Sequence, residues 1–129
     1  MATAAAVFLA RTGKSKTEIS RYLTETFGYA LDRKVDDIRP SYFFDVSCQG
    51  SVPESIICFL EAEDYESAVR NAVSLGGDAD TMACIAGGIA EAYFGVPAPI
   101  LRETRRRLDP ALLEISDRFQ DRFCRGEFT

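Results

Sequence analysis

Histidine occurs nowhere in the 129 residues. Its absence removes the Ser-His-Asp triad, the Cys-His pair and any histidine-ligated metal centre from the chemistry this chain can assemble by itself. Cysteine is sparse. Cys48, Cys58, Cys84 and Cys124 stand far apart and form no CxxC, so neither a thiolate zinc site nor the dense framework of a small secreted domain is indicated. They are expected to be reduced thiols, mostly buried, in a cytoplasmic protein. No apolar run approaches the roughly 20 residues that cross a bilayer, and no membrane partner is expected. Basic residues are in the minority, 15 against 20 acidic ones, for a formal charge of −5. That balance argues against nucleic acid as a partner. The arginines at 102 and 105–107 accordingly read as a solvated helix face. A secretory leader carries basic residues before its apolar stretch, whereas here Arg11 follows it. Met1 to Ala10 is therefore expected to be a short alanine-rich helix with no targeting role.

What is present is ordinary globular composition, 47% hydrophobic and 27% charged, in a length suited to a single domain over 1–129. The apolar period is helical nearly throughout, which predicts an all-α fold, a compact orthogonal helical bundle. Ser15-Lys16-Thr17-Glu18 has the form of a capping box, and Ile19, Tyr22, Leu23, Thr26 and Phe27 then share one face up to Gly28. Ser51-Val52-Pro53-Glu54 has the same form and predicts a helix with Val52, Ile56, Phe59 and Leu60 inward. Asp64 is placed to cap a helix with Tyr65, Ala68, Val69, Ala72 and Val73 on its face. The segment from about Thr81 to Phe94 carries one charge, Glu91, and is expected to be a central helix. A more exposed helix follows from Pro99, and Asp109-Pro110 opens a last one with Leu112, Ile115, Phe119 and Phe123 inward. The stretch 28–50 fits no such pattern and is expected to be a long loop. Asp36-Asp37 reads as a solvated turn, and a short strand or turn is conceivable near Tyr42-Phe43-Phe44.

The segment Ser74-Leu75-Gly76-Gly77-Asp78-Ala79-Asp80-Thr81 is the one that suggests chemistry. Two glycines allow a sharp turn, after which Asp78, Asp80 and the Thr81 hydroxyl offer hard oxygen ligands of the kind magnesium or manganese takes. The free amides of the following helix are also suited to a phosphate. A capping role for an aspartate at this place is the alternative, since any helix start needs an acceptor. Two adjacent carboxylates leading into a buried helix nevertheless repel one another unless a cation or several donors compensate.

The run SLGGDADTMACIAGGIAEAYFG, 74–95, resembles the C-terminal signature of the ADP-ribosylglycohydrolase family, the relatives of dinitrogenase-reductase-activating glycohydrolase. The likeness continues through Ser47-Cys48-Gln49-Gly50-Ser51-Val52-Pro53-Glu54 and back to Phe8-Leu9-Ala10-Arg11-Thr12-Gly13-Lys14. The resemblance implies an all-α protein that hydrolyses an ADP-ribosyl linkage with two divalent cations, Mg2+ or Mn2+. It implies that Asp78, Asp80 and Thr81 are metal ligands and that Gly50 and Ser51 contact ADP-ribose. Ser51 has a second reading as a helix cap. The family's other ligand set, a Thr-Asp-Asp-Thr segment, and its N-terminal acidic residues have no counterpart here. The chain is therefore expected to be the C-terminal half of such a protein, whose site is shared between halves. It is expected to need a missing N-terminal half or self-association, and to hydrolyse little alone. A non-catalytic ADP-ribose or nucleotide-binding module and a helical interaction protein are the competing readings.

Overall fold

The alanine-rich N-terminus forms helix α1 (Ala2–Arg11), which buries Ala2, Ala6 and Ala10 along one edge at four-residue spacing. In this computed structural model residues 1–124 are described. They form eight helices, with no strand among the described residues. The protein is all-α, as its apolar period predicts.

Helix α2 (Lys16–Phe27) starts at the predicted capping box: the Glu18 amide donates to Ser15 Oγ, and the Ser15 amide donates to Glu18 Oε2 at 2.9 Å. It stops at Gly28, whose φ of 71° is a left-handed cap. Ile19 and Leu23 are buried, but Tyr22 and Thr26 face solvent. Because α2 packs chiefly against α1, its covered stripe is narrower than the period suggests. Within 28–50 a single turn, α3 (Val35–Ile38), is pinned by buried Val35 and Ile38, while Asp36 and Asp37 are exposed in it.

Helix α4 (Cys48–Glu61) corrects the second capping box. Ser47 is the cap, accepting from the Gly50 amide at 3.1 Å. Ser51 lies one turn inside, buried, with its hydroxyl donating back to the Ser47 carbonyl at 2.7 Å. The earlier start costs the bond that a residue other than Pro53 would donate. It lets the helix bury a continuous stretch from Pro53 to Phe59. Helix α5 (Tyr65–Ser74) has the predicted Asp64 cap, on the Ser67 amide at 2.7 Å, and buries Ala68 and Ala72 while leaving Val73 exposed.

Helix α6 (Ala79–Phe94) is central, packing against α5, α4 and α1. Met82, Ala86, Ile89 and Ala90 are fully buried in it, and its alanines and glycines let the neighbours approach. One edge, with Thr81, Cys84, Gly88 and Glu91, remains exposed. The Lys16 ammonium lies 5.0 Å from the centre of the Phe94 ring and 5.3 Å from that of Phe59. It donates to the Leu60 and Ala62 carbonyls, closing the C-terminal end of α4.

Two compact units are distinguished, Met1–Gly95 with α1 to α6 and a second beginning at Val96. The second contains α7 (Ala98–Arg107) and α8 (Pro110–Phe123). Asp109 caps α8 as predicted, accepting from the Leu112 amide at 2.9 Å, and Arg105 forks onto Asp117 at 2.8 and 3.0 Å. The inward assignment of Leu112, Ile115, Phe119 and Phe123 is corrected: all four are at least half exposed. Two helices have too little surface to cover such a stripe. The cysteine expectation is also corrected. Only Cys58 is buried, whereas Cys48, Cys84 and Cys124 are exposed and all four are unpaired. Cys48 opens α4 outside its buried stretch, and Cys84 lies on the exposed edge of α6.

Candidate functional site

Gly76, at φ 74°, turns the chain out of α5, and Asp78 becomes the cap residue of α6. The helix begins at Ala79, earlier than the predicted Thr81, which places Asp80 in its first turn. The Asp78 carbonyl accepts from the Met82 amide at 2.9 Å, but its side chain makes no capping bond. Ser15, Ser47, Asp64 and Asp109 cap with their side chains at other helix starts, while Met1, Lys34 and Pro97 do not; Asp78 has a side chain able to cap and turns it to the Asp80 carboxyl instead. Asp80 Oδ1 accepts from the Thr81 amide at 2.9 Å. Contact with the Asp78 carboxyl, and then that amide, hold the Asp80 carboxyl below the usual range. Asp78 is half-buried, while Asp80 and Thr81 are exposed.

Tyr42 joins this turn to the start of α4. Its ring occupies the space where a side chain on Gly77 would begin, and its hydroxyl donates to the Gly50 carbonyl at 2.7 Å. The Gly50 amide is taken by Ser47, and the Asp45 carboxylate fills the space beside its Cα. Gly50 and the Asp78 turn, 28 positions apart in sequence, thus meet around one phenol. Burial raises the Tyr42 pKa, and the carboxylates of Glu54, Asp45 and Asp78 raise it further.

Tyr42 and Glu54 are the residues that the sequence reading passes over. Tyr42 is hidden in an apolar run, and Glu54 looks like the last letter of a capping box. In the fold Glu54 is buried to 8% exposure. Its Oε1 accepts from Arg33 Nη2 at 2.7 Å, and its Oε2 has no partner among the described residues. Arg33 also lines a groove of about 510 Å3 with Lys16, Arg21 and Lys34, which includes none of the predicted site residues.

The donors at 78–81 match a hard divalent cation in kind and fall short of one in number. Two carboxylates and a hydroxyl are present, and no group of three or more His, Cys, Asp or Glu able to hold a metal occurs among the described residues. What the arrangement offers is a partial oxygen set at the start of α6, where the Thr81 amide is already taken by Asp80.

The profile of the ADP-ribosylglycohydrolase family matches residues 1–127. The chain belongs to the ADP-ribosylglycohydrolase family. Its all-α architecture is that of the family. Among curated proteins it is similar to ADP-ribosylhydrolase ARH3 of Homo sapiens, 40% identical over 57 residues, covering 36% of this chain and 16% of that protein. The mouse ARH3 (Mus musculus) is 42% identical over 57 residues, covering 36% of the chain and 15% of that protein. The matched part is thus a small share of these relatives' length. No solved structure matches the chain. No helix among the described residues is long and apolar enough to cross a membrane.

Proposed function

We propose that this member of the family supplies one side of a divalent-metal-dependent site that hydrolyses an ADP-ribosyl linkage. The other side comes from protein that these 129 residues do not contain. The observation that carries the proposal is the Asp78 carboxylate, which makes no capping bond at its helix start and is set against the Asp80 carboxyl. Asp78, Asp80 and Thr81 would hold Mg2+ or Mn2+. When bound, such an ion orients ribose hydroxyls and lowers the pKa of a water. Cleaving a ribosyl bond builds positive charge on the ribose, and the carboxylates of this site favour that charge. The Thr81 amide is taken by Asp80, which leaves the earlier first-turn amides of α6 for a pyrophosphate oxygen of ADP-ribose, while Tyr42 holds the Gly50–Ser51 segment beside the same turn. Exposed Phe8, Phe43, Phe44 and Val46 offer apolar surface to a missing half or a second copy. The reading places the protein in the cytoplasm, in keeping with four unpaired thiols.

The test is manganese binding and ADP-ribose release by the purified chain. Weak binding that Asp78→Ala abolishes, with little release, is the expected result. Vigorous release by the single chain would remove the need for a second half. The uncapped start of α6 favours one other reading, a non-catalytic module that holds ADP-ribose through backbone amides. Binding indifferent to chelator and to Asp78→Ala would select it.

A further inference from the structure

We propose that Tyr42 is the positioning residue of this site: tied to α4 and resting on Gly77, it holds the Asp78 turn in the geometry that takes a divalent cation. The inference rests on the function proposed above and adds to it the residue that sets the turn.

Local structure fixes Asp78 weakly. Gly76 and Gly77 precede it, and adjacent glycines leave the backbone its widest choice. The Asp78 side chain makes no capping bond, and its ψ of 74° lies outside the helical range. The turn is instead held from residues 35–42, at two points. At the end of α5, Arg39 Nε donates to Ser74 Oγ at 3.1 Å. At the glycines, the Tyr42 ring lies where a Gly77 side chain would begin.

Residues 35–42 are themselves tied to both ends of α4. The Val35 amide donates to Glu61 Oε2 at 2.9 Å, at the last residue of that helix. The Tyr42 hydroxyl donates to the Gly50 carbonyl at 2.7 Å, in its first turn. Between these ties Val35 and Ile38 are buried, and the Tyr42 amide donates to the Ile38 carbonyl at 3.0 Å. The segment is therefore a strap from α4, buried continuously from Pro53 to Phe59, to the turn between α5 and α6. Tyr42 is its far end, bonded at the hydroxyl and packed at the ring. A hard cation takes its oxygens within narrow distance limits, so a turn released from the strap presents the Asp78 carboxylate less well. Groups that orient metal ligands from outside are worth about 10–100-fold in metal affinity.

The full chain is titrated with Mn2+ alone, the free ion being read by electron paramagnetic resonance. The wild type is compared with Tyr42→Phe, Asp78→Ala and Asp64→Ala. Tyr42→Phe keeps the ring over Gly77 and removes only the bond to Gly50. It is expected to weaken Mn2+ about tenfold or more. Asp64→Ala removes a helix cap away from the site. It is expected to lower the thermal midpoint and leave Mn2+ affinity unchanged. Equal Mn2+ affinity in wild type and Tyr42→Phe overturns the proposal. So does an equal loss in Asp64→Ala, which marks general destabilisation. Should Tyr42→Phe fail to fold, Arg39→Gln releases Ser74, the other point the strap holds, and is read in the same way. Failure of the underlying function shows separately, as Mn2+ binding that Asp78→Ala leaves intact. A wild-type chain that binds no Mn2+ overturns both.

Discussion

The Tyr42 hydroxyl donates to the Gly50 carbonyl at 2.7 Å while its ring covers Gly77, so one side chain fixes the distance between two turns. Gly77 is needed there for space, since an added Cβ would overlap the tyrosine ring. Gly77→Ala is expected to destabilise the fold by about 1–3 kcal/mol, because a pinned ring cannot retreat. Gly88 is the control: it is exposed within α6 with nothing near an added Cβ. Gly88→Ala is expected to stabilise by about 0.5–1 kcal/mol. Urea denaturation of the two variants checks both signs.

Asp64 and Asp78 are both aspartates at helix starts, and only Asp64 caps with its side chain. Asp64→Ala is expected to lower the thermal midpoint by about 4 °C, the effect of losing an N-cap in a domain of this size. Asp78→Ala is expected to leave the midpoint nearly unchanged in the absence of metal. Thermal scans with and without manganese separate a carboxylate that holds the fold from one free for a ligand. A large metal-free loss in Asp78→Ala would return it to a structural role.

Glu18 gives the fold a defined acid sensitivity. Its carboxylate accepts from the Ser15 amide and hydroxyl and from Lys14, and its pKa falls from 4.5 to about 2. A depressed carboxylate pKa contributes stability that is present above the unfolded value and lost as pH falls through the folded one. The stability gap between wild type and Glu18→Gln should therefore be constant above about pH 5 and close between pH 4.5 and 2. Denaturant titrations at stepped pH measure it. A gap independent of pH would show that the charge of Glu18 contributes nothing to the capping box.

Helix starts with a local chemical signature are legible in the sequence. Ser15 with Glu18, Asp64, and Asp109 before Pro110 each satisfy their own helix within three residues, and no distant contact is needed to foresee them. The Ser51 box fails because Ser47, four residues earlier and without a glutamate three positions on, caps the helix instead, which puts Ser51 inside α4. The outer edges of α2 and α5 and the stripe of α8 are misjudged for a different reason. A period shows which residues share a face, and whether Tyr22, Val73 or Phe119 is covered depends on a neighbour.

The sequence by itself determined the helical class, most caps and the Asp78-Ala79-Asp80-Thr81 segment, because these are set by interactions within about one helical turn. Only the tertiary structure decided that Tyr42 brings Gly50 to Gly77, that Arg33 holds one oxygen of Glu54, and that the other has no partner among the described residues. Arg33 and Glu54 lie 21 positions apart, Gly50 and Asp78 28. Such meetings are fixed by how α4 packs on α6, and the periodicity of either helix carries no information about the partner it will meet.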